Sequence, residues 1–216
     1  LAESSEAEFI YDTQSGSRGI NDELAEYIVL HSRPEVGGTV LDVGCGKGLL
    51  LRALARRRGD LKLHGVEPSR HARRYSQRIV PDASVFEGVL SASPFASRTF
   101  GLVVSVGVFE HVPDPVGFAA ELASVVAPDG WVFVGVPNLA NNPADVVTFD
   151  HLSRFTPTTF RSVLMRAGLS VEALVSEDRV PMWALARKLN APATDLRSDS
   201  GSIARGAVQW FEKCLD

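Results

Sequence analysis

Lysine is nearly missing from this chain: it occurs at Lys47, Lys62, Lys188 and Lys213, and the other basic residues are arginine, a codon-usage hint of a GC-rich bacterial genome. Cysteine is scarcer still. Cys45 and Cys214 lie far apart in no metal-ligand spacing, so no disulfide framework is implied, and free thiols with a cytoplasmic location are expected. Long apolar runs are absent too, none approaching the roughly 18 residues that a bilayer-spanning helix needs. Residues 1–10 carry Glu3, Glu6 and Glu8 in place of a basic start and an apolar stretch, so no export signal is expected. Positive charge is in deficit, 22 Lys and Arg against 26 Asp and Glu, for a formal net charge of −4, which argues against a nucleic-acid partner. The first residue is not Met, which leaves open that the chain is a piece of a longer protein.

What is present suits one domain with one active site. The chain has 216 residues, 45% of them hydrophobic, enough to bury a core without disulfides or a metal staple. A β/α alternation starts near Thr39 and continues to about Ser176, which predicts an open α/β domain with a parallel sheet. Three parts are expected: residues 1–38 as an N-terminal helical segment, 39–176 as the core, and 177–216 as a helical cap or lid. In the first part Asn21 is placed to cap a helix with Leu24, Ala25, Ile28 and Val29 on its apolar stripe, expected to pack beside the binding site. In the core, strands are predicted at 39–43, 61–66, 85–86, 102–106, 131–136 and 171–175. The arginine-rich helix after Ser69 and the run Arg56-Arg57-Arg58 read as solvated faces. In the last part residues 181–189 and 202–215 read as helices, which either form the cap or leave the chain to stop before a last strand.

The strongest local signal is Leu41-Asp42-Val43-Gly44-Cys45-Gly46-Lys47-Gly48, a glycine loop joining a buried strand to a helix. Glycines there let the backbone approach a ligand closely and present amides at the helix N-terminus. A dinucleotide site expects Gly-x-Gly-x-x-Gly, and here Leu49 stands at the third glycine position, which counts against NAD. Glu67 follows Gly46 by 21 residues and ends the second strand, where a carboxylate accepts both hydroxyls of a ribose. Cys45 reads as a small side chain that fits between glycines, with no redox role.

Together with Val66-Glu67-Pro68, Phe109-Glu110-His111-Val112, Pro128-Asp129-Gly130 and Val136-Pro137-Asn138, this loop resembles the class I S-adenosylmethionine (SAM) dependent methyltransferases over residues 39–176. The resemblance implies a Rossmann-like, mostly parallel twisted sheet of seven strands, helices on both faces, the last strand antiparallel. It also implies a cofactor site. Asp42 and the loop Gly44, Cys45, Gly46, Gly48 would hold the methionine end, Glu67 with Pro68 the ribose, and Val89, Leu90 and Val106 the adenine. Two positions depart from the family pattern, Val89 and Gly101 standing where an Asp is usual. The segment Asp150-His151-Leu152-Ser153-Arg154-Phe155-Thr156-Pro157 resembles a motif of the bacterial branch that includes quinone O-methyltransferases and sugar C-methyltransferases, and Tyr11 resembles a cofactor-side tyrosine of that branch.

A sulfonium methyl is an activated electrophile, so such an enzyme chiefly aligns the acceptor and excludes water, and no metal is expected. An O or C acceptor needs a base; an N acceptor is not excluded. His151 and His111 are the candidates, with Asp150 placed to orient one of them. A histidine at 111 equally suits a structural role under the cofactor, and one at 151 suits anchoring the turn before the Thr156 helix. Trp183 and Trp210-Phe211 read as lid, homodimer face or, more simply, core. The activity implied is methyl transfer to an O, N or C atom of a small molecule. The alternative is a methyltransferase-like binding or scaffolding domain without turnover.

Overall fold

The computed structural model describes residues 19–176 and 181–188. Seven strands form one sheet in the order β3-β2-β1-β4-β5-β7-β6. They are β1 (Thr39–Val43), β2 (Lys62–Glu67), β3 (Ser84–Glu87), β4 (Phe100–Val106), β5 (Val126–Val136), β6 (Leu169–Val175) and β7 (Met182–Lys188). The first five pair in parallel, and β7 runs antiparallel between β5 and β6. The helices are α1 (Ile20–Ser32), α2 (Leu49–Arg57), α3 (Arg70–Ile79), α4 (Pro115–Val125) and α5 (Pro157–Arg166).

Strand periodicity sorts the core into two layers. Leu41, Val43, Val103, Val132 and Val134 pack with Leu122 of α4 and with Phe160 and Leu164 of α5. Val40, Leu102, Val104, Phe133 and Leu185 pack on the other face with Leu24 and Ile28 of α1 and Leu51 and Leu54 of α2. The strand order reverses at β1, which sends β2 and β3 one way and β4 and β5 the other. In open α/β sheets that reversal leaves a crevice beyond the carboxyl ends of the flanking strands.

Three expectations need correction. Residues 181–189 do not form a helix: 182–188 are β7, so this stretch of the supposed cap is sheet. Met, Ala, Leu, Arg and Lys favour helix intrinsically, but β7 fills the gap between β5 and β6, and Met182 to Ala186 are buried on both faces. A short, fully buried strand carries no period-2 alternation to read. Helix α1 starts at Ile20 with Gly19 at its cap position, so Asn21 lies inside the first turn. It also packs against α2, with Asp22 3.0 Å and Glu26 3.4 Å from Arg57 in that helix's last turn, the end away from the glycine loop. β5 begins five residues early, at Val126, pairing with Phe100 before the register shifts across the 127–130 turn. The helix expected at 202–215, Trp210-Phe211 and Tyr11 lie outside the described residues.

Candidate active site

The carboxyl ends of β1 and β2 bring the two acids of the sequence motif together. Asp42 and Glu67 are 3% and 7% exposed. Glu67 turns back over the glycine loop: one carboxylate oxygen accepts from the Gly46 amide at 2.8 Å and the other from the Ser69 amide at 2.7 Å. The Gly44 and Cys45 amides donate to the Val66 carbonyl at 2.8 and 3.1 Å, which fastens the loop to β2. Burial, and then the neighbouring charge of Glu67, push the Asp42 carboxyl up to about 7. The site therefore favours a ligand carrying positive charge near Asp42 and hydroxyl donors near Glu67.

The glycines earn their positions sterically. Gly44, Gly46 and Gly48 all have positive φ, +79°, +53° and +76°. A β-carbon on Gly44 would collide with the Val108 side chain, and one on Gly48 with Ser76. Gly46 instead faces open space. Gly48 caps α2 with no side-chain hydrogen bond, so the first-turn amides of that helix have no capping side chain. Acids for an ammonium and ribose hydroxyls, together with an uncapped helix N-terminus for a carboxylate, match the donor set of a methionine-linked nucleoside.

The remaining cofactor candidates are placed unevenly. Pro68 is exposed at the bend after β2, and Val89 is 55% exposed after Gly88. Val106 is half-buried at the end of β4. Leu90 is 2% exposed and turned into the core, so its side chain is not available to an adenine. The Cys45 side chain packs into space left by Gly65, where a β-carbon would lie 2.8 Å from its sulfur, and burial pushes its thiol up. The loop contributes backbone at this position.

His111 and His151, 40 positions apart in the chain, meet at the same edge of the sheet with ring centroids 4.9 Å apart. His111 follows β4 in a short 3-10 turn, Phe109–His111. His151 lies in the segment between β5 and α5, tied to that turn where the Leu152 and Ser153 amides donate to the Glu110 carbonyl. Asp150 does not orient His151: its carbonyl accepts from His111 Nδ1 at 2.9 Å, and its side chain is 76% exposed. Asp145, 2% exposed, takes that place, its Oδ1 2.7 Å from His151 Nδ1. Sequence spacing gave no signal for Asp145, since it sits in an irregular segment whose path only the tertiary structure defines.

Glu110 was also missed as a site residue. It is 3% exposed, burial raises its carboxyl above the ordinary range, and its Oε2 has no hydrogen-bond partner among the described residues. Glu110, His111 and His151 each offer a ligand atom within 4.8 Å of the others. His64 and His31 take no part. His64 is packed edge-on against Phe95 and Phe100 near the amino end of the sheet, and His31 stacks on Tyr27. An open hollow lined by Thr39, Gly101, Trp131 and Arg187 lies at that amino end, away from Asp42 and Glu67.

A profile described as a methyltransferase domain matches residues 17–174. The chain belongs to the SAM-dependent methyltransferase family. SAM is accordingly its cofactor, and a small molecule its methyl acceptor. The methyltransferase is 30% identical to a ubiquinone biosynthesis O-methyltransferase of Thiobacillus denitrificans, over 69% of this chain and 72% of that protein. A protein of the same name from Photorhabdus laumondii is 34% identical over 55% of this chain and 51% of its own length. The chain thus spans between 43% and 72% of the length of the relatives it matches. Among solved structures, the plantazolicin methyltransferase BpumL, in complex with a desmethyl substrate analogue and S-adenosylhomocysteine (SAH), aligns with a TM-score of 0.64 at 13% identity, over 79% of this chain and 82% of its own. The CcbJ methyltransferase of Streptomyces caelestis aligns with a TM-score of 0.66 at 12% identity, over 83% and 93%. At those identities the likeness bears on the fold, and it agrees with the seven-stranded sheet. Among the described residues no helix is long and apolar enough to cross a membrane.

Proposed function

We propose that this methyltransferase methylates a hydroxyl oxygen of a small metabolite, with His151 as the base that removes the hydroxyl proton. The observation that carries this reading is the His151 ring, held by a buried carboxylate and set against His111 at the edge of the sheet where the glycine loop also ends. The O-methyltransferase names of the relatives support oxygen over nitrogen or carbon.

SAM, when bound, supplies a methyl group on a sulfonium leaving group. Asp42 and the loop at 44–48 would hold its methionine end, Glu67 and Pro68 its ribose, and Val89, Val106 and the backbone at Leu90 its adenine. Glu67 gives up or shares its hold on the Gly46 amide to accept the ribose hydroxyls, since a carboxylate has acceptor sites to spare. His151 accepts the acceptor's proton on Nε2, because Nδ1 is committed to Asp145. His111 stands beside that ring, with its Nδ1 fixed on the Asp150 carbonyl. A cytoplasmic location, supported by a sequence with only two cysteines, a homodimer, and a single domain spanning residues 1–216 belong to this reading as well.

The test is His151→Ala with methyl-labelled SAM and a panel of phenols and catechols. Transfer is expected to slow at least about tenfold, with SAH affinity by calorimetry unchanged. Undiminished transfer by the variant would remove His151 from the chemistry. No transfer by the wild type to any acceptor pool would favour a binding domain without turnover.

A further inference from the structure

We propose that Asp145 is the positioning residue of this methyltransferase, fixing the tautomer of His151 so that Nε2 carries the lone pair; the inference rests on the reading of His151 as base.

Asp145 lies in the short 3-10 segment Pro143–Val147 and is 2% exposed, yet it is a carboxylate. A carboxylate is costly to bury unless it is paired. Its Oδ1 is 2.7 Å from His151 Nδ1, while its Oδ2 has no partner among the described residues, so His151 is what the buried acid serves. An ionised carboxylate only accepts, so the pairing puts the proton on Nδ1 and leaves Nε2 bare.

The surrounding segment is built to keep that geometry. Arg154 Nε donates to the Asp145 carbonyl at 3.0 Å, and its Nη2 to the Val146 and Thr148 carbonyls, each at 3.0 Å. One guanidinium thereby holds three carbonyls of the backbone around the acid. On the far side, the His151 amide donates to the Thr148 carbonyl at 3.3 Å, and Leu152 and Ser153 are tied to the Glu110 carbonyl. The imidazole therefore has little freedom to turn over. In the transfer step the acceptor O–H bond breaks, its proton moves to His151 Nε2, and the oxygen lone pair forms the bond to the methyl carbon as the carbon–sulfur pair departs with sulfur. Asp145 stays a carboxylate throughout, facing the charge that develops on the ring.

Tautomer state is read directly by long-range proton–nitrogen correlation spectra of the 15N-labelled protein at pH 8, with His151 assigned through the His151→Ala variant. Groups facing the ring are Asp145 from its own segment and Glu110 and His111 from the turn after β4, so spectra of Glu110→Gln and His111→Gln establish which partner sets the signal. Expected is a protonated Nδ1 and a bare Nε2 in the wild type, lost or mixed in Asp145→Asn, whose amide offers Nδ1 a donor. Asp145→Asn is also expected to lower kcat at least about tenfold, in the manner of an acid that fixes a base's tautomer, with SAH affinity and acceptor KM near wild type. Combined with His151→Ala it should cost nothing further. Protonation of Nε2 in the wild type would overturn the proposal, as would an Asp145→Asn spectrum identical to wild type or losses that multiply in the double variant. The wild-type spectrum decides the matter even if the variant fails to fold. If no acceptor is methylated, the assignment of activity fails while the tautomer measurement still stands or falls by itself.

Discussion

Asp42 and Glu67 set two carboxyl groups at adjoining strand ends, and burial makes it costly to keep both ionised. Because the folded-state value of Asp42 is raised, from 3.8 to about 7, the folded protein binds a proton that the unfolded chain has released over that interval. Stability of the ligand-free protein from this group is therefore complete below about 4 and is lost as pH rises toward about 7. Glu110, raised by burial as well, contributes with the same sign. Asp42→Asn is expected to flatten the decline of melting temperature between pH 4 and 7 relative to wild type; an unchanged slope would contradict the assignment. Glu67 acts differently, since its two oxygens already accept from the Gly46 and Ser69 amides. Removing a charged acceptor costs about 1.5–3 kcal/mol per hydrogen bond, so Glu67→Gln is expected to weaken SAH binding about ten- to hundredfold by calorimetry.

At the scale of elements, the β1–α2 loop works by leaving side chains out. Gly44 combines a φ of +79° with a Val108 side chain where its β-carbon would go, so the loop after β4 lies directly over the glycine loop. Gly44→Ala adds backbone strain of about 1–3 kcal/mol to that collision, and denaturant unfolding is expected to show a loss of at least this size along with loss of SAH binding. Gly46→Ala keeps the strain without the collision, because nothing lies within 4 Å, and is expected to cost less stability. The second functional element is the connection from β5 to α5. Asn138, 1% exposed, begins it by donating to the Ser176 carbonyl and accepting from the Ala140 amide, and Thr156 ends it with a capping box on α5. Between those fixed ends Arg154 organises the backbone and His151 is delivered beside His111.

At the scale of the whole molecule, a ligand that binds only the folded chain raises its stability, by about 2.7 kcal/mol at a hundred times its Kd. For a chain of this size that corresponds to a rise in melting temperature of about 5 °C or more. SAH is expected to produce it and NAD is not, because Leu49 replaces the glycine that a dinucleotide loop uses at that place. A shift with NAD and none with SAH would reverse the reading of the site.

The loop and acid proposed to hold the cofactor could be read from the sequence because they are local: one strand, one glycine loop and one acid at the next strand end, in a spacing that the β/α repeat dictates. The β-α alternation likewise declared an α/β sheet. What tertiary structure decided were relations between distant segments. β7 is a strand because a gap between β5 and β6 buries it on both faces, whatever its helix propensity. Leu90 faces the core, and His151 answers to Asp145 in place of the adjacent Asp150, since an irregular loop carries no period from which side-chain direction can be inferred. Spacing along a chain fixes contacts only where the backbone is regular, and the proposed acceptor side of this enzyme is assembled where it is not.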